Sequence, residues 1–472
     1  MNRSFPGFYK EMPGGYKIDR GYFSLFTRYA GISITSVPIL TALIVVCALS
    51  AAAADTTVRR ATVSLNDVEL QKKMEGLHQH ISRNFIHPEL NIIYDCMASP
   101  QEKDRWGFLP TVEEVRANQP DACGWKTGME NCALSGGIYL AGMVYRYEVT
   151  GRPEHAADAR RIYEGLRLLA TVPKSKGFIA RGLLPDGKTY YINSSVDQYT
   201  LYVFGIWTYY HSSIATDREK TEIRSIMHEV CNRIERDGFT INTDQGTPAL
   251  VCEIGVIRSD RSSRLLEIYL VGYDIIGNEH WLDIYREKTA ENNYARVTSV
   301  TDPAQVSSPY GTAQMAVFAL LQNQASLIPL LELESSILLK AAYLEAIRTT
   351  AKVVSDRLVL FREYDPKMHN DNYRLGGWRR GESSRPGSLT TEFRVLRMPG
   401  EALIVMLMSH GASLVTPYAG LLDAGVAKEL TDLSRELLST YNYAKTRMSD
   451  GIYSEIAYWL AVKQGLFKYT AP

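Results

Sequence analysis

Residues 132–144 read CALSGGIYLAGMV, and residues 199–207 read YTLYVFGIW. Neither stretch carries a charge, and both are apolar round the whole circumference of a helix. A helix of that kind in a water-soluble fold must be surrounded by other elements. Three more stretches have the same character: MAVFALL at 315–321, ALIVMLM at 402–408 and IAYWLAV at 456–462. Their Gly and Ala residues let neighbours approach closely, although each of Gly136 and Gly137 costs roughly 1 kcal/mol in helix propensity.

Between these stretches lie helices of a second kind. Ala159, Ile162, Tyr163, Leu166, Leu169 and Ala170 form one apolar stripe, with Arg160, Arg161, Glu164 and Arg167 on the other face. Ile223, Ile226, Met227, Val230 and Ile234 repeat the pattern, as do Leu430, Leu433, Leu437 and Tyr441. Such helices bury one side and show water the other. The periodicity predicts about twelve helices, near 69–86, 129–148, 155–170, 196–212, 217–236, 261–276, 279–290, 310–325, 333–356, 399–411, 427–441 and 452–464. Alternation of buried and amphipathic helices predicts an all-α fold of six hairpins, an (α/α)6 toroid with inner helices ringed by outer ones. A superhelical solenoid is the alternative. No sequence repeat is evident and the hairpin spacing is irregular, which favours the closed ring.

The chain begins with a different signal. Residues 32–54 read ISITSVPILTALIVVCALSAAAA, preceded by Arg3, Lys10, Lys17, Arg20 and Arg28 and ending in an Ala cluster before Asp55. A basic region, an apolar run and a small-residue cleavage site are the three parts of a secretory signal. The expectation is a signal peptide over 1–54 and one toroid domain over 55–472, in a secreted or periplasmic protein. The competing reading is a membrane anchor formed by uncleaved residues 32–54, a run long enough to span a bilayer.

The whole chain has 52 basic and 52 acidic residues, which argues against a broad nucleic-acid-binding surface. Removing residues 1–54 leaves 47 against 50, a mildly acidic protein. Cys96, Cys123, Cys132, Cys231 and Cys252 remain, an odd number with no C-x-x-C pair. In an oxidising compartment they allow one or two disulfides beside buried thiols. The histidines are scattered, and no P-loop, GxGxxG, His-x-x-x-His or Ser nucleophile elbow is present. Nothing calls for a metal or a cofactor.

In a toroid the N-termini of the inner helices converge on one end of the ring. Unusual polar residues gather at those starts: Trp125, Glu130 and Asn131 at the first, Asn193, Asp197, Gln198 and Tyr199 at the second, Tyr310 and Gln314 at a later one. The long connection to the fifth adds Trp378, Arg379, Arg380, Glu392 and Arg394, and Arg181 lies on the approach to Asp197. A purely local explanation exists for some of them. Thr127-x-x-Glu130 and Ser195-x-x-Gln198 have the form of capping boxes, and Pro309 and Pro399 suit a first helical turn. Capping leaves the arginines and aromatics unexplained. As chemistry, Asp197 and Glu130 are candidates for the two carboxyl groups that glycoside cleavage uses, roughly 5–10 Å apart. Trp125, Tyr199, Trp378 and Tyr310 offer faces for sugar rings, with Asn131 and Gln314 as polar contacts. Arg181, Arg379 and Arg394 could grip a carboxylate or sulfate on a substrate, or pair with acids between helices.

The paired helices, the Gly177-Phe178-Ile179-Ala180-Arg181 segment and the Ser194-Ser195-x-Asp197-Gln198 helix start together resemble the six-hairpin glycosidase-like proteins, over most of residues 65–465. The resemblance implies an exported carbohydrate-active enzyme: a glycoside hydrolase, an unsaturated uronyl hydrolase or a polysaccharide lyase. Uronyl hydrolases of that group use paired Asp residues, of which only Asp197 has a match here. Lyases of that group use Asn or His against the uronate and Tyr or His to move the proton, roles that Asn131 or Asn193, Tyr199 or Tyr310, and Arg181 would fill. The leading expectation is hydrolysis of an oligo- or polysaccharide, uronate-containing or not, by Asp197 and Glu130. The alternatives are β-elimination and a non-catalytic glycan-binding toroid. No nucleic-acid partner is expected, and a membrane only if the signal stays uncleaved.

Overall fold

The computed structural model describes residues 64–95, 106–107, 109–125, 127–309, 315–357, 391–415, 424–442, 449 and 451–471. The expected signal over 1–54 lies outside them. Among the described residues no helix is long and apolar enough to cross a membrane. Twelve long helices occur: α1 (Asp67–Asn84), α2 (Cys132–Thr150), α3 (Pro153–Thr171), α4 (Val196–His211), α5 (Asp217–Arg236), α6 (Ser262–Ile276), α7 (Glu279–Thr301), α8 (Val317–Leu333), α9 (Ile337–Ser355), α10 (Thr391–Val415), α11 (Ala424–Thr440) and α12 (Gly451–Lys463). Two short helical turns, Val112–Arg116 and Pro303–Ser307, lie in the connections. Only isolated bridges stand in for sheet among the described residues.

The even-numbered helices form a ring. α2 packs on α4, α4 on α6, α6 on α8, α8 on α10, α10 on α12, and α12 returns to α2. The odd-numbered helices lie outside it: α3 on α2, α5 and α7 on α6, α9 on α8 and α10, α11 on α10 and α12, α1 on α12. This is an (α/α)6 toroid, and the return of α12 to α2 excludes the open solenoid. α4 also touches α8 directly, which narrows the ring beside α6.

The two kinds of helix segregate as the sequence predicts. On α2 every residue from Cys132 to Arg146 is buried, and on α12 every residue from Gly451 to Val462. On α3 and α5 the buried residues follow the apolar stripes, for example Ile223, Ile226, Met227, Val230 and Ile234. The closest crossing joins α2 to α4 at two glycines. A Cβ on Gly137 would lie 2.0 Å from the Leu201 carbonyl oxygen, and one on Gly205 would lie 2.1 Å from that of Gly137. The backbones touch there, so no side chain fits.

Several local expectations are corrected. The helix expected near 310–325 runs over Val317–Leu333 and carries Pro329 inside it. Pro399 is not at a first turn but within α10. α7 extends past 290 through a kink at 291–294, where Asn292, Asn293 and Tyr294 take left-handed φ values of 50°, 56° and 62°. Asparagine tolerates that region better than most residues, because its short amide can bond locally. Cys123, Cys132, Cys231 and Cys252 are free thiols, so no disulfide joins the described cysteines; Cys96 lies outside them.

Candidate active site

Both suspected capping boxes are absent. At the start of α2 the N-cap is Asn131 and makes no side-chain cap bond; at the start of α4 the N-cap Ser195 makes none either. The orphan N–H groups of α2 are met from outside the helix instead. Leu134 N–H donates to Gln198 Oε1 at 3.1 Å, and Ala133 N–H to the Arg181 carbonyl at 3.1 Å. Genuine capping boxes occur on the outer helices, at Asn66/Glu69 and Thr216/Glu219. The difference is physical. An inner helix start is enclosed by neighbours that supply acceptors, while an outer one must satisfy itself.

Gln198 is therefore a joint between two helix starts. Its Nε2 donates to the Glu130 carbonyl at 3.0 Å and lies 3.3 Å from Asn131 Oδ1. Asn131 Nδ2 in turn donates to Glu130 Oε1 at 2.9 Å, and Asn131 N–H to Asp95 Oδ2 at 3.0 Å. Arg181 Nη1 donates to the Glu130 carbonyl at 2.7 Å. Glu130, Asn131, Arg181 and Gln198 thus form one connected cluster, and Asp197 is the residue before Gln198 in α4. Burial raises the pKa of the nearby Cys123 thiol, against the pull of Arg181.

Asp197 reaches the next inner helix. Its Oδ1 pairs with Arg264 Nη1 of α6 at 2.8 Å; the aspartate is a quarter exposed while the arginine is fully buried. Arg264 Nε points to Asn323 Oδ1 at 3.4 Å, and Nη2 donates to the Ala319 carbonyl at 3.2 Å, both on α8. The narrowing of the ring beside α6 coincides with this arginine. Asp260 sits in the turn before α6, held by Arg258 and Arg261; burial opposes its ionisation, but those arginines with Arg264 keep its carboxyl below the usual range.

The predicted residues separate clearly. Glu130, Asn131 and Arg181 come together at the start of α2, and Asp197 stands in the first turn of the adjoining α4, paired with Arg264. Trp125 is half-buried in the loop that leads to them. Tyr199 does not belong with them. It is fully buried, accepting from Ile179 N–H at 3.2 Å and donating to the Gly177 carbonyl at 2.9 Å. That leaves no face for a sugar and no proton for a reaction, so Tyr199 is a core residue. Arg181 is buried as well, with its guanidinium turned to a carbonyl. Tyr310, Gln314, Trp378 and Arg379 lie outside the described residues, as does the side chain of Arg394 on α10. Arg264 and Asn323 were not predicted. The available signal was a lone arginine and glutamate, Arg264 and Glu267, inside the otherwise apolar start of a helix.

A cavity of about 680 Å³ lies at the other end of the inner helices, lined by Tyr145, Leu331, Met408 and Leu460 among others. It is mostly apolar and contains none of the predicted site residues. Among the described residues no group of three or more His, Cys, Asp or Glu could hold a metal.

No family model and no curated protein matches the chain. Solved structures are similar in overall form. One is a sugar epimerase from a ruminal bacterium, 11% identical, with a TM-score of 0.47 over 83% of this chain and 98% of that one. Another is the cellobiose 2-epimerase of Spirochaeta thermophila DSM 6192, also 11% identical, with a TM-score of 0.41 over 87% of this chain and 99% of that one. Likeness at that identity concerns fold and not activity; the toroid itself rests on the closure of the inner ring.

Proposed function

We propose that the chain is a carbohydrate-active enzyme, a glycoside hydrolase that uses Asp197 and Glu130 at the joined starts of α2 and α4. The observation that carries the reading is the pair itself. Both acids are partly exposed and stand at the adjacent starts of two inner helices, α2 and α4, whose first turns are mostly buried. Their surroundings differ, which is what acid–base work requires. Asp197 faces the Arg264 guanidinium, a partner for a carboxylate acting as base or nucleophile. Glu130 accepts from the neutral Asn131 amide at 2.9 Å and is assigned the proton donor. Half-buried Trp125, in the loop that leads to α2, is the candidate aromatic face for a sugar.

The elimination reading loses one of its proton carriers, since Tyr199 is enclosed in the core. A screen of plant and algal polysaccharides and their oligosaccharides tests the proposal. New reducing ends with no rise in ultraviolet absorbance are the expected result and mean hydrolysis; a rise in ultraviolet absorbance with each cleavage, from an unsaturated product, would mean elimination and overturn the proposal. Saturable binding with no turnover on any glycan would favour the non-catalytic toroid. Export through residues 1–54 belongs to the same proposal; N-terminal sequencing of the protein recovered outside the cytoplasm should begin near Asp55, and an intact membrane-bound chain would replace export by anchoring.

A further inference from the structure

Arg264 is fully buried. Asp197, the Ala319 carbonyl and Asn323 surround its guanidinium, and Asn323 is itself tied by Nδ2 to the Ser259 carbonyl at 2.9 Å. One turn further along α6, Glu267 is also 0% exposed, and neither of its carboxyl oxygens has a hydrogen-bond partner among the described residues. An isolated carboxylate cannot stay charged in such a place. Burial drives this carboxyl well above the usual range, with Arg264 as the charged group pulling the other way. A leucine or methionine would fill the position without any polar atom to satisfy.

The guanidinium has the opposite problem. A buried arginine stripped of its carboxylate is strongly destabilised. Its visible partner, Asp197, is the group expected to take up a proton or form a bond during turnover. Asp260 cannot replace it, because Arg258 and Arg261 already share that carboxylate. From α5, Cys231 faces α6 as a thiol kept protonated by burial. From α7, Arg296 is spent on Glu291 and on the carbonyls of Gly255 and Val256. From α8 the Ala319 carbonyl and the neutral Asn323 amide meet the guanidinium.

We propose that Glu267 is the reserve counter-ion of Arg264, a positioning residue that stays neutral while Asp197 is ionised and takes over the negative charge when Asp197 loses it. Two carboxyls then share one proton and one negative charge. When Asp197 accepts a proton from the reacting group, Glu267 releases its own to solvent, and Arg264 keeps one carboxylate throughout. The inference rests on Asp197 being the working carboxylate of the site.

Its test reads folding and protonation, so it stands apart from whether any glycan is cleaved. Asp197→Asn, Glu267→Gln and the double variant are compared by urea denaturation, with 13C NMR of the glutamate carboxyls at pH 7. Asp197→Asn is expected to fold, and its Glu267 signal to move from the protonated to the ionised position. Adding Glu267→Gln to that background should shift the unfolding equilibrium at least tenfold more than the single effects multiply to. A merely structural Glu267 would give multiplicative effects and an unmoved signal. Either of those results, or an Asp197→Asn variant that fails to fold, overturns the proposal.

Discussion

His78 of α1 and Glu455 of α12 meet across the seam where the first and last helices of the toroid come together, with Nδ1 2.8 Å from Oε1. The other imidazole nitrogen, Nε2, lies 3.2 Å from Asp158 of α3. Tyr139 of α2 donates to Glu455 Oε2 at 2.9 Å, and Arg146 of α2 reaches Glu75 at 2.7 Å. Four helices are thus joined by one partly buried ionic cluster, with the histidine bridging two carboxylates. The seam has a pH-dependent strength that can be measured.

Burial opposes protonation of His78, but Glu455 and Asp158 outweigh it, and its pKa rises to about 9. A raised histidine pKa means that the folded state holds the proton more tightly than the unfolded chain. The stabilisation is therefore complete below about pH 6.5 and is lost as pH climbs through about 9. Its size is on the order of 3 kcal/mol. Urea denaturation at pH 6 and pH 9.5 should show wild type losing that much more than His78→Gln. Equal losses in the two proteins would remove His78 from the seam's energetics.

The α2–α4 crossing makes a harder steric statement. Gly205→Ala places a methyl group where the Gly137 carbonyl oxygen stands, so the helices must separate. Overpacking of this kind costs about 3 kcal/mol, which thermal melting should report as a clear drop in Tm. Gly151→Ala is the control, since a Cβ there meets nothing within 4 Å and the strain comes only from its φ of 63°. A Gly205→Ala protein no less stable than that control would contradict the backbone contact.

Gln198 joins the two helix starts through one acceptor and one donor group. Gln198→Ala leaves the Leu134 N–H and the Glu130 carbonyl without that side chain, at a cost of about 1–3 kcal/mol. Glu130 and Asn131 should lose their alignment with it, so turnover is expected to fall further than Trp125→Ala makes it fall. Unchanged stability in Gln198→Ala, measured by denaturant titration, would show that water replaces the amide without loss.

Much of the architecture was legible because burial leaves a periodic mark. The helix predicted at 217–236 is the helix observed, since Thr216, Glu219 and the Ile223–Ile234 stripe mark its start and its buried face. The buried inner helices were equally plain from their lack of charge. Their ends were not: a helix enclosed by others takes its capping from partners far along the chain, so Ser195 and Thr127 misled, and Gln198, read as capping its own helix, serves the start of α2 instead. The positions of the proposed acids, Glu130 and Asp197, at the starts of α2 and α4 were legible. Arg264, which pairs with Asp197, and Asn323, which lies against that arginine, were not legible, because only the packing of α4, α6 and α8 brings them together. Tyr199 reads as a binding residue in one dimension, and only packing shows that its hydroxyl is spent on Gly177 and Ile179.

The carboxylate pair is the centre of the account, and reducing-end release by Glu130→Gln and Asp197→Asn on an accepted glycan tests it most directly. Both substitutions preserve size and remove one charge. Loss of at least a hundredfold in kcat, with folding retained, is expected for each, in keeping with the usual contribution of about 10²–10⁴ from a positioned acid or base. Full activity in either variant would contradict the assignment.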